Sequence, residues 1–256
     1  MSRSTDLLTF TTSTGRTTAL PPSFALVVTD TLESPAAFLL AHLIARALRP
    51  PPAEGRKARR VVLVGVRDRE EHWASSLKKQ GVQLPTERAA GRFCFVDASS
   101  GALEDACVGV AEALGGGGGG AGDDAVVLVD DLSALMWLGN DVRSVVRFFA
   151  RLRAIVSATA SSLVVLLHAD DVAPTPSTES EEDQYLFRKV LQGCDLWLEA
   201  RSLGGETRGE LAIHRAPALD PSNDYGVETR SGARALQYKV EESGAVFEAK
   251  GLGRFF

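Results

Sequence analysis

The sequence predicts an α/β fold: a doubly wound, mainly parallel sheet with helices on both faces and a C-terminal antiparallel extension. Three observations predict it. Runs of five or six residues that are apolar throughout recur along the chain, as expected of strands covered on both faces. Helical segments stand between most of them, and strand–helix alternation implies parallel pairing through right-handed crossovers. The last stretch holds strand-like runs joined by turns alone, which implies antiparallel pairing.

The elements follow in order. Residues 24–29 (FALVVT) read as the first strand. Residues 36–48 (AAFLLAHLIARAL) read as a well-buried helix without internal Gly or Pro, with Pro35 ahead of it and Ser34 as its N-cap. Pro50, Pro51 and Pro52 end it, because proline cannot continue the hydrogen-bond ladder. Residues 61–66 (VVLVGV) are a strand, 72–80 a helix closed by Gly81, and 92–96 (RFCFV) a strand. A helix over 102–114 leads to a fourth strand, AVVLV, at 125–129. Residues 142–156 place Val142, Val145, Val146, Phe149, Leu152 and Val156 at helical steps. Residues 163–167 (LVVLL) and 196–200 (LWLEA) are further strands. Segments 210–214, 236–240 and 245–249 make the antiparallel extension, the last two joined through Glu242, Ser243 and Gly244.

This gives a flexible segment over residues 1–20 and a single domain over 21–256. Two insertions are expected to lack structure: a polyglycine run at 115–122 and an acidic Pro/Ser/Thr/Glu loop at 172–184. The polyglycine run is no phosphate cradle, since it precedes a strand instead of following one.

Composition narrows the function. Of 256 residues, 45% are apolar and 24% charged, within the globular range, so the chain can bury a core. Its net charge of −5 excludes a free-standing electrostatic nucleic-acid binder. Cys94, Cys107 and Cys194 are sparse, form no CxxC pair and point to a reducing compartment. His42, His72, His168 and His214 are scattered, so no metal site is expected. No secretory signal and no apolar run long enough to span a membrane is read. The expectation is a soluble intracellular protein.

The first strand–loop–helix is where a nucleotide-binding α/β protein carries its phosphate loop. Such a loop needs glycines to bring backbone N–H groups onto phosphate, a lysine, and a Ser or Thr for magnesium. Here it reads Asp30-Thr31-Leu32-Glu33-Ser34-Pro35, with two acids, no glycine and no lysine. The acids repel phosphate, and Pro35 removes a helix N-terminal donor. The fourth strand ends in Asp130 and Asp131, the form of a magnesium-holding strand end. With the phosphate loop absent, those acids read as caps of the following turn, together with Ser133. His168 ends the fifth strand beside Asp170 and Asp171 and reads as a hydrogen-bonded strand-end histidine. No catalytic residue, nucleotide site, metal or cofactor is expected.

One charge feature stands out. Arg143, Arg147 and Arg151 lie at i, i+4 and i+8, one stripe opposite the apolar face of their helix. They are the candidate surface for an acidic partner or RNA phosphate. The basic run Arg56, Lys57, Arg59, Arg60 reads as a solvated loop. Phe255 and Phe256 are candidate interface anchors at the chain end.

Several stretches together resemble the sixth-subunit family of the Elongator complex: VVLVDDLSALMWLG (126–139), VVLLHAD (164–170), HWASSLKKQGVQL (72–84), CDLWLEARSL (194–203) and YKVEESGAVFEAKG (238–251). The DDLS motif and the closing hairpin with AKG are the most specific. The resemblance implies a RecA-like fold with a decayed phosphate loop and a retained Asp130-Asp131. It also implies a heterohexameric ring with Elongator subunits 4 and 5. That ring would bind tRNA and join the catalytic subcomplex that modifies wobble uridines. The expected location is the cytoplasm, with the nucleus as a second site. The alternative from another class is an ATPase or nucleotide-dependent kinase with a divergent phosphate loop.

Overall fold

The computed structural model describes residues 6–12, 15–49, 58–115, 125–169, 178–204, 207–220 and 225–250. Two short strands open the chain, β1 (Phe10–Thr12) and β2 (Gly15–Thr17), followed by β3 (Ala25–Asp30) and α1 (Ala37–Leu48). Next come β4 (Arg60–Gly65), α2 (Glu70–Lys79), α3 (Leu84–Ala89), β5 (Phe93–Asp97), α4 (Leu103–Gly115) and β6 (Ala125–Val129). The short α5 (Ala134–Trp137) leads into α6 (Val142–Ala158), β7 (Ser162–His168), α7 (Thr178–Gln192) and β8 (Leu196–Ser202). The chain closes with β9 (Arg208–Arg215), β10 (Gly226–Val227), β11 (Leu236–Glu241) and β12 (Gly244–Ala249).

Among the described residues the main sheet has the order β12-β11-β9-β8-β3-β7-β6-β4-β5. From β8 to β5 every pairing is parallel, and β8, β9, β11 and β12 pair antiparallel. Alternation along β3 shows why a run that is apolar throughout belongs here. Leu26 and Val28 enter one core with Leu40 and Ile44 of α1 and Leu77 of α2. Ala25 and Val27 enter a second core with Val110 of α4, Leu152 of α6 and Val190 of α7. Both faces of the strand are thus withdrawn from water. The antiparallel end uses one tight hairpin, in which Glu241 faces Gly244 and Gly244 takes a φ of +125°, a conformation open to glycine.

Four expectations need correction. Residues 6–12 and 15–20 are not a flexible tail: Leu7, Leu8 and Phe10 are buried, Phe10 packs edge-on against Phe24, and β1 pairs with β2 and β10. Apolar spacing in so short a segment is too sparse to signal this. Arg59 is not solvated. It is buried, and its guanidinium donates to the carbonyls of Leu20 and Ala125 and to Ser162 Oγ, tying together the incoming ends of several strands. A fork of fixed donors suits such convergent acceptors. The acidic segment is not wholly irregular, because α7 begins at Thr178 and takes in its last seven residues. Finally, Ser34 does not cap α1. The polyglycine positions 116–122 lie outside the described residues.

Candidate functional site

The loops that leave β3, β4, β6 and β7 meet at the carboxyl edge of the parallel strands, where α/β folds place ligands. After β3, Thr31 and Ser34 bridge each other in a tight turn that leaves Leu32 at 79% exposure. Asp30 is buried. Its Oδ2 accepts from the backbone N–H of Ala36 at 2.9 Å, and its Oδ1 lies 3.0 Å from His168 Nδ1. The carboxylate therefore occupies the anion position at the start of α1 that a phosphate would need. Ser34, fully buried, shares a 2.7 Å hydrogen bond with the Tyr238 hydroxyl, so the antiparallel extension holds this turn in place.

Asp130 is equally committed. Oδ1 accepts from the N–H groups of Val66 and Arg67 at 2.7 and 3.1 Å. Oδ2 accepts from the N–H of Asp68 at 2.9 Å and from Trp73 Nε1 at 3.4 Å. Four donors use the acceptor capacity of one carboxylate. Asp131 Oδ1 accepts from Ser133 Oγ at 2.6 Å and from the Ala134 N–H at 3.2 Å, and Arg67 Nη1 lies 3.5 Å from Oδ2. Ser133 Oγ in turn accepts from the His168 N–H at 2.9 Å. Burial pushes both carboxyls above the usual carboxylate range, and the hydrogen bonds oppose that shift. The pair thus stitches the β4, β6 and β7 loops together, as caps of the following turn would. Asp130 has both oxygens committed to backbone and indole donors, whereas Asp131 Oδ2 faces only Arg67.

The structure brings Asp30, Asp130, Asp131, Ser133 and His168 to one edge. His168 pairs with Asp30, across strands, while Asp170 and Asp171 lie outside the described residues. Arg143, Arg147 and Arg151 are exposed on α6, and the cation beside Asp131 is Arg67. Phe255 and Phe256 lie outside the described residues. Arg67 escaped the sequence reading because a lone arginine after a strand carries no spacing signal. Trp137 escaped it as well: it is 68% exposed, with its ring 6.1 Å from that of His168. Among the described residues no cluster of three or more His, Cys, Asp or Glu is placed to hold a metal, and no helix is long and apolar enough to cross a membrane.

No family model matches the chain. Over 135 residues it is 31% identical to Elongator complex protein 6 of Rattus norvegicus. That supports the Elongator resemblance. The match takes in 50% of this chain and 47% of the relative, so the chain spans about half the length of the relative it matches. Among solved structures, a KaiC-like protein of the hyperthermophilic archaeon Pyrococcus horikoshii superposes with a TM-score of 0.61. The superposition covers 90% of this chain and 91% of that one at 10% identity, a likeness of fold alone. The chain has a RecA-like α/β fold with antiparallel strands at its C-terminal side.

Proposed function

We propose that the chain is a non-catalytic, RecA-like subunit of an Elongator-type assembly. In this reading it takes a place in a heterohexameric ring with subunits 4 and 5. The ring binds tRNA, joins the catalytic subcomplex and supports modification of wobble uridines, in cytoplasm and nucleus. The observation that carries the non-catalytic part is the closed carboxyl edge. Asp30 fills the anion position of α1, and Asp130 spends its acceptors on four donors of its own chain. A fold whose nucleotide edge is sealed this way retains its shape as a scaffold. The similarity to Elongator complex protein 6 over half of the chain supports the Elongator part of the reading.

Calorimetric titration of the purified chain with Mg-ATP tests this. The expected result is no heat of binding. A micromolar Kd, or steady ATP turnover by the chain, would instead establish the ATPase or kinase alternative.

A further inference from the structure

Helices α4 and α6 enclose a cleft of about 330 Å³ beside the arginine stripe. Its floor is apolar, with Cys107 and Phe148 buried there, and its walls carry Glu104, Ser144, Arg147 and Arg151. The two helices differ sharply in charge. From Leu103 to Gly115, α4 carries Glu104, Asp105 and Glu112 and no base. From Val142 to Ala158, α6 carries Arg143, Arg147, Arg151 and Arg153 and no acid. Arg153 is spent on Asp195 at the far end of α6, which leaves the other three on the surface.

The charges in the cleft are only lightly held. Arg151 pairs with Glu104, but both side chains are more than half exposed, and such pairs contribute little to stability. Arg147 donates to Ser144 Oγ at 2.8 Å, and Arg143 makes no ion pair among the described residues. One turn beyond Glu104 on the same stripe of α4, Val108 stands 55% exposed. A two-signed cleft with one exchangeable ion pair and an exposed apolar neighbour has the makeup of a protein interface, where arginine is a frequent anchor.

We propose that the α4–α6 cleft docks a helical segment of a partner protein that carries acids on one stripe and bases on the next. A partner carboxylate enters between Arg147 and Arg151, displacing Glu104. The released Glu104 and its neighbour Asp105 receive the partner's lysine or arginine. A nucleic-acid backbone fits less well, because its phosphates would run along a helix that holds acids alone.

The sign of one substitution separates the two classes of partner. The probes are fluorescein-labelled helical peptides of about 18 residues, roughly five turns. One carries a glutamate stripe beside a lysine stripe, and controls carry glutamate alone or lysine alone. An RNA duplex of similar length is the fourth probe. Binding to the full chain is read by fluorescence anisotropy, with circular dichroism confirming that each variant is folded. The two-stripe peptide should bind best. Arg147→Gln with Arg151→Gln should weaken it about tenfold or more, one decade being the loss of one good charged contact. Lysine at both positions should restore part of the affinity. Asp105→Asn, which removes an acid that pairs with neither arginine, should weaken the two-stripe peptide, whereas it would strengthen any polyanion. The proposal is overturned if no peptide binds, or if the arginine variants leave peptide binding unchanged. It is equally overturned if Asp105→Asn tightens binding of the two-stripe peptide, or if the duplex outcompetes the peptide through the same arginines.

Discussion

Asp130 ends its strand with the outline of a magnesium-holding acid, and its hydrogen-bond partners all lie within the chain. Its carboxylate closes the β4 loop by accepting three backbone N–H groups and an indole. Replacing it with alanine should cost about 3 kcal/mol or more, because several buried donors lose their acceptor together. Asparagine should rescue little, since its NH₂ end cannot accept. Urea unfolding of both variants measures this, and a loss under about 1 kcal/mol would mean that water replaces the carboxylate. His42 on α1 provides a second test. Its ring packs edge-on to Phe247 at 5.1 Å, and burial, then the charge of Arg46, push its pKa down to about 4 from the usual 6.5. Between those values the unfolded chain binds a proton that the native state refuses. Stability is therefore full above pH 6.5 and is lost as pH falls toward 4. The loss should be about 2 kcal/mol for a half-buried ring, and it should vanish in His42→Gln. Unfolding midpoints across that pH range decide it.

At the scale of elements, the interior strands were legible because covering both faces of a sheet leaves no polar position. The run AVVLV coincides with β6 residue for residue, and LVVLL falls one residue short of β7 at each end. What escaped was set by tertiary partners. Leu7, Leu8 and Phe10 are buried by a core that their own segment does not announce. Arg59 is buried because carbonyls from distant strands converge on it. Ser34 has the right residue type for a cap, yet it bonds to Tyr238, more than two hundred positions away, and Asp30 takes the cap's place. The start of α7 was hidden by its composition, since Ser, Thr and acids read as loop when the helix they open is not in view. That placement carries a prediction about RNA. Glu179, Glu181, Glu182 and Asp183 fall in the first two turns of α7, and a phosphate backbone is repelled by such a run. Changing all four to serine in the assembled complex should leave tRNA affinity unchanged or slightly raised. Weakened binding in filter assays, with the assembly intact, would show instead that the segment supports the RNA contact.

For the whole molecule, the proposed scaffold role rests on a carboxyl edge whose Asp30 and Asp130 are committed to partners within the chain. The absence of glycine and lysine between Asp30 and Pro35 was enough to argue against nucleotide binding, but not to show that Asp30 and Tyr238 close the edge from opposite ends of the chain. The exposed Leu32, Trp137 and Leu138 around that edge, and the two-signed cleft of α4 and α6, suit a chain that functions in company. A subunit of a closed ring buries two distinct surfaces, one toward each neighbour. The most direct measurement is sedimentation of the tagged full chain, alone and after co-expression with Elongator subunits 4 and 5. The account predicts one heavy hetero-oligomer that contains all three proteins and binds tRNA. A stable monomer that sediments unchanged in the presence of both subunits would contradict it.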